Sequence, residues 1–277
     1  TLTARTGLIL HDRDLVMTYQ RSKATIIFRD GSEIRLFGNT KFLIEKSKES
    51  EEGPRRFLHD LMLKVGSFWG KFTKSRQRTL VRTPTATAGV KGTTFAMVER
   101  DSELDIALST GALSVTNQAE TIDLKAGKLM RDITAKGSMQ DKISDLTQKI
   151  TIQADENSFE VPEPGKTNEI GFTLQLVNTK TNKNVDRSGE VYISLTTDKA
   201  ATDKIVFPET IILNSRGYAR IRATVESFES IKNSKGRIEV FAVMDDERFI
   251  DVASGSTSLT YMNRRHLKID ASSGKVE

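Results

Sequence analysis

The chain contains no cysteine in 277 residues, which excludes disulfides, thiol nucleophiles and thiolate-held zinc. No apolar run approaches the ~18 residues that a membrane-spanning helix needs. Histidine is scarce: His11, His59 and His266 stand far apart, with no His-x-His or His-Glu-x-x-His pair. Isolated, exposed histidines are therefore expected rather than a zinc site. Thr1 is followed by neither a basic stretch nor an apolar core, so the expectation is that a signal peptide has been removed or was never present. No Asn-x-Ser/Thr acceptor occurs.

At 37% hydrophobic residues the composition is that of a globular chain, long enough for two domains that each bury a core. Charge is spread unevenly. Residues 1–136 hold 23 Lys and Arg against 16 Asp and Glu, whereas residues 137–277 hold 19 against 21. Between Arg55 and Lys91 there are nine basic side chains and one acidic one, Asp60. A basic first half favours an acidic partner.

Short alternating apolar segments punctuated by Gly and Asp fill the first half, which reads as strands. Asp30-Gly31-Ser32 sits between Ala24–Phe28 and Ile34–Leu36 as a hairpin turn. Lys46–Arg56 is polar and reads as a mobile loop. In Arg82–Thr93, Pro84 suits a strand start or edge, and Gly89 and Gly92 suit a bulge or a close backbone approach. These stretches resemble the FecR-domain family. The family signature carries Thr-Pro (Thr83, Pro84), small residues, then Gly-Val-Arg-Gly-Thr, matched here by Gly89, Val90, Gly92 and Thr93, with Lys91 where the family usually has Arg. The "DGS" of Asp30, Gly31 and Ser32 is a second hallmark. Gly7, Leu10, Asp14, Val16 and Thr18 follow the family's opening pattern, with Arg13 where it has a second glycine. The resemblance covers roughly Gly7–Arg131 and implies a non-enzymatic bacterial cell-envelope protein, periplasmic or secreted.

Met139, Ile143, Leu146 and Ile150 recur at helical spacing, which predicts a short helix over 137–148 joining domain 1–136 to domain 149–262, with 263–277 a tail. From Lys149 about seven alternating strands return, with turns at Asn182–Asn184, Asn214–Gly217 and Lys232–Gly236. Their spacing resembles a bacterial Ig-like β-sandwich, although the usual disulfide and buried Trp are absent. The expected fold class is all-β.

Chemistry-bearing patterns are thin. Gly89–Thr94 lacks phosphate-loop spacing and enters a strand, so no helix N-terminus faces an anion. No Gly-x-Ser-x-Gly elbow marks a serine nucleophile. Asp245-Asp246-Glu247 and Asp251 are either a solvated acidic turn or a calcium loop, and the solvated turn is favoured. Phe68, Trp69, Lys71, Lys74, Arg76 and Arg78 are the candidate partner-binding residues, but a buried core, Phe68 and Phe72 included, with the cations on a solvated strand edge is the favoured reading of this stretch. The expectation is a binding or scaffold module without cofactor, metal, enzymatic activity, nucleic-acid partner or membrane span. The alternative is the periplasmic sensing portion of a FecR-type sigma-factor regulator, and an envelope hydrolase comes third.

Overall fold

The structure is a computed structural model that describes residues 3–49, 57–73, 79–197, 201, 203–228 and 235–262. Among these residues it is almost entirely β. The chain divides into two compact units. The first combines Thr1–Lys149 with Asp245–Ala253, and the second combines Ile150–Met244 with Ser254–Glu277.

Among the described residues, a sheet of thirteen strands organises the first unit. They are β1 Leu15–Met17, β2 Ala24–Ile27, β3 Glu33–Leu36, β4 Lys41–Glu49, β5 Phe57–Lys71, β6 Thr79–Arg82 and β7 Thr87–Val90. Then come β8 Thr94–Arg100, β9 Glu103–Thr110, β10 Ala112–Thr116, β11 Thr121–Lys125, β12 Lys128–Ile133 and β13 Ile143–Asp145. The spine is β5. Its first half lies between β4 and a parallel β6, and its second half lies between β3 and β8. The change of neighbours falls at Gly66, whose φ is +99° and where a Cβ would lie 2.5 Å from Thr40 Cα. Only glycine fits such a crossing.

Alternation along these strands sends Phe42, Ile44, Leu61, Leu63, Phe68 and Phe95 into one core. Phe68 meets Phe42 and Phe95 edge-on at ring-centroid distances of 5.5 and 5.6 Å, the geometry aromatic quadrupoles favour. A smaller cluster joins Val98, Ala107, Leu129 and Leu146 to Ile250, so the Asp245–Ala253 segment contributes to the packing of the first unit.

Two expectations are corrected here. The predicted helix over 137–148 is absent: Gln140–Lys142 makes a single 3-10 turn and Ile143–Asp145 is the strand β13. The helical spacing was coincidental, because Met139 enters the main core while Leu146 enters the smaller cluster. Lys46–Glu49 is not a loop either. It extends β4 and pairs with Phe57–Asp60; residues 50–56 lie outside the described residues.

The remaining strands are β14 Gln148–Ala154, β15 Ser158–Glu160, β16 Thr167–Asn178, β17 Gly189–Thr196, β18 Ile205–Val206 and β19 Thr210–Leu213. They continue with β20 Tyr218–Glu226, β21 Lys235–Met244, β22 Val252–Ala253 and β23 Gly255–Met262. They form two five-stranded sheets, ordered β18-β20-β16-β14-β22 and β15-β23-β21-β17-β19. Ile170, Phe172, Leu174 and Leu176 of β16 are buried with Ile221, Ala223 and Val225 of β20, one apolar face per strand. The predicted turn at Asn214–Gly217 is present: Arg216 N and Tyr218 N donate to Asn214 Oδ1.

Candidate functional site

The best-connected polar cluster is built on the Asp-Gly-Ser turn between β2 and β3. Gly31 takes φ +82°, which frees the chain to fold Ser32 back over Asp30. Ser32 N donates to Asp30 Oδ1 at 2.9 Å, and Ser32 Oγ donates to Oδ2 at 2.9 Å. Thr73 Oγ1 donates to the same Oδ2 at 3.2 Å. His59 of β5 places Nε2 3.2 Å from Oδ2 and Nδ1 3.0 Å from Ser47 Oγ. A carboxylate only accepts, so Nε2 carries the proton, and in the neutral ring Nδ1 accepts from Ser47.

Burial pushes the Asp30 pKa up, but hydrogen bonds from His59 and Ser32 and the His59 charge outweigh it, leaving the pKa below the ordinary value. His59 is 1% exposed and packs 4.6 Å from the Phe28 ring. The expectation of an exposed, isolated histidine is therefore corrected. Its partner is 29 residues away in sequence, so local spacing carried no signal of the pairing.

The Thr-Pro motif is consumed in holding the fold. Thr83 Oγ1 accepts from Thr85 N and Ala86 N, closing the turn between β6 and β7. Pro84 sits exposed in that turn rather than at a strand start. Thr85 Oγ1 donates to Glu99 Oε1 at 2.8 Å. Glu99 is buried on β8, and desolvation raises its pKa above the ordinary value despite the threonine bonds.

Gly92 takes φ +65° between β7 and β8, as a close turn requires. Gly89 is an ordinary strand residue, paired with Leu80 and Ser114 and with room for a Cβ, so its expected bulge is corrected. Thr93 is buried, and its carbonyl accepts from Phe72 N at 2.8 Å. Replacing Gly92 with Val should cost about 1–3 kcal/mol in urea denaturation, because a β-branched residue resists a left-handed backbone. Arg13, where the FecR pattern has glycine, takes φ +72°. Arg13→Gly should therefore raise stability by about 0.5–1 kcal/mol, the left-handed strain relieved less the extra unfolded-state entropy. A lowered denaturation midpoint would show that the arginine side chain outweighs its backbone.

The candidate partner-binding residues divide. Phe68, Trp69 and Lys71 are all buried, and Lys71 Nζ lies 3.3 Å from Glu33 Oε2. These three do not form a binding surface. Lys74, Arg76 and Arg78 lie outside the described residues.

The acidic run 245–247 is a solvated turn only in part: Glu247 is exposed and Asp246 half-buried, whereas Asp245 is not solvated. Asp245 is fully buried in the first unit, held by Arg35 Nε at 3.2 Å, Arg35 Nη2 at 3.0 Å and Lys23 Nζ at 2.9 Å. Ser67 Oγ donates to Glu247 Oε2 at 2.8 Å, and Asp246 pairs with Arg248. Among the described residues no group of three or more His, Asp or Glu side chains could hold a metal ion. No helix among them is long and apolar enough to cross a membrane, which leaves strands unaddressed.

The sequence matches the FecR protein family over residues 14–114. Among curated proteins no sequence matches. Two structures of a Parabacteroides distasonis protein, provisionally described as an anti-sigma factor, are similar at 15% identity with TM-scores of 0.38 and 0.39. The similarity covers 48% of this chain, which spans 59% of the length of theirs. A FixG-related protein from Vibrio parahaemolyticus matches at 10% identity and TM-score 0.28, over 43% of this chain and 97% of its own. At these scores neither likeness bears on function. The family match ends at Ser114, and the Ig-like reading of 149–262 rests on strand spacing.

Proposed function

Residues 14–114 are a FecR domain, and from that premise we propose that this chain is the sensing portion of a FecR-type regulator. It works by binding in the bacterial envelope and turns nothing over. Regulators of that type sense an outer-membrane transporter and control a sigma factor. The family match is the observation that carries the reading, and it favours sensing over a passive scaffold. Side-chain roles support it. The hallmark residues Asp30, Ser32 and Thr83, and Thr85 beside them, are spent on turns and buried networks, which leaves recognition to the surface.

The test is genetic. In the native bacterium, in-frame deletion of codons 14–114 should abolish inducer-dependent transcription of a sigma-factor-controlled transporter operon. Complementation with the intact gene should restore it. Unchanged induction in the deletion strain would reject sensing and leave an architectural envelope role.

A further inference from the structure

We propose that the outer face of β1, β4 and β5 is a docking surface for an extended protein segment in which acidic and apolar side chains are mixed. Strand register defines this face. Leu15 pairs with Leu43 and Leu43 with Met62, so the three stand in one row across the strands, on one side of the sheet. Their neighbours Val16, Phe42 and Leu61 point the other way, into or against the core. Leu15 is 45% exposed and Met17 38%. An outward-facing strand position is normally polar, so a contiguous row of apolar side chains there marks a candidate contact face.

The charges around the row determine which occupant fits. Lys46 and Lys48 face outward with Asp60 and Leu58, to which they pair, and Lys41 and Lys64 flank the row on the same two strands. All four lysines are exposed. The acidic groups on this face, Glu45 and Asp60, are both engaged by Arg82. Among the described residues, the four lysines and Arg82 outnumber Glu45, Asp60 and the nearby Asp12, which accepts from Ser47 N, so the rim stays basic and complements added carboxylates.

The backbone of β1 supplies the third element. Among the described residues β1 pairs with β4 alone, so its outer edge offers N–H and C=O groups to an added strand. A segment laid along that edge places alternate side chains over the leucine row, its carboxylates within reach of the lysines. A bilayer fits less well. Leu43 and Met62 are half-buried, so they protrude too little to insert among acyl chains, whereas a protein side chain can pack on them.

The inference stands apart from the regulatory role, because it is read on the purified chain. A phage-displayed library of random peptides is panned against the full chain, and the enriched peptides are synthesised for fluorescence anisotropy. The expected result is enrichment of peptides that interleave Asp or Glu with Leu, Ile, Val or Phe, with affinity falling as salt is raised. Leu43→Lys should weaken binding by about tenfold or more, the loss of one anchor. The double variant Lys46→Glu, Lys48→Glu changes only exposed charges; it should also weaken binding while leaving the denaturation midpoint in place, which separates docking from folding.

Three results would overturn the proposal. One is enrichment of peptides without acidic residues, or equal binding by the lysine variant. Another is sedimentation of the chain with phosphatidylglycerol vesicles that Leu43→Lys abolishes, which would assign the face to a membrane. The third is a concentration-dependent dimer dissolved by Leu15→Lys, which would assign it to a second copy.

Discussion

Replacing Asp245 with alanine should lower the stability of the first unit by about 3–5 kcal/mol, the scale on which a buried ion pair loses one partner. The carboxylate is fully buried and accepts a two-pronged bond from Arg35 plus one from Lys23. Arg35 is itself 7% exposed, and its remaining nitrogen Nη1 already donates to Thr25 Oγ1. Alanine would leave a guanidinium buried without its counter-charge, and arginine cannot shed its proton to escape. Trp69 makes the measurement specific. It is the one tryptophan in the chain and lies buried on β5, so its fluorescence follows the first unit alone. The urea midpoint should fall with little change in slope. Arg35→Met combined with Asp245→Ala should recover part of the loss, since an apolar pair replaces a stranded charge. An unmoved midpoint in the single variant would mean that the pair is dispensable.

This ion pair marks a limit of reading the sequence. Asp245-Asp246-Glu247 has the composition of a solvated turn, and nothing local indicates that Asp245 is destined for an arginine 210 positions earlier. The same segment carries Ile250 into the Val98–Leu146 cluster and pairs Val252–Ala253 with Gln148–Lys149. A boundary drawn by sequence order at 148 assigns this segment wholly to the later domain, whereas packing assigns it to the first unit. Most of the strands were legible, because burial alternates with period two along the first half of β5 and along β10, β11, β16 and β20. Four apolar residues from Met139 to Ile150 fall at helical spacing, but Met139 and Ile143 pack with the main core while Leu146 joins the smaller cluster, so no single helical face is buried.

The hallmark residues were legible in position and partly in purpose. Asp30-Gly31-Ser32 was identifiable as a turn, and the positive φ of Gly31 is what a turn glycine predicts. Arg13 shows the reverse case: the missing family glycine was visible in the sequence, and the backbone keeps the left-handed conformation all the same. What the sequence concealed was the role of Asp30 as a hub, because His59 and Thr73 reach it from 29 and 43 residues away. Composition left Phe68, Trp69 and Lys71 open between a basic aromatic surface and the favoured core; Phe68 is in the core, and Trp69 and even the cation Lys71 are buried with it.

Substituting Asp30 with asparagine should cost about 2–4 kcal/mol at neutral pH, because hydrogen bonds to a charged acceptor contribute more than neutral ones and their donors are left buried. Oδ2 of Asp30 accepts from Ser32, Thr73 and His59 together. An amide nitrogen in that place would turn a donor toward three donors. The pH dependence follows from the lowered pKa of Asp30. A carboxyl ionised more readily in the folded than in the unfolded chain gives its full stabilisation above the unfolded value, about 4. That contribution is lost as pH falls through the lower folded value, where both states become protonated. The gap between wild type and Asp30→Asn should therefore be widest near neutrality and should narrow as pH falls below about 4. Urea titrations followed by Trp69 fluorescence at a series of pH values measure that gap directly. A gap independent of pH would show that the turn depends on side-chain shape and not on the charge of Asp30.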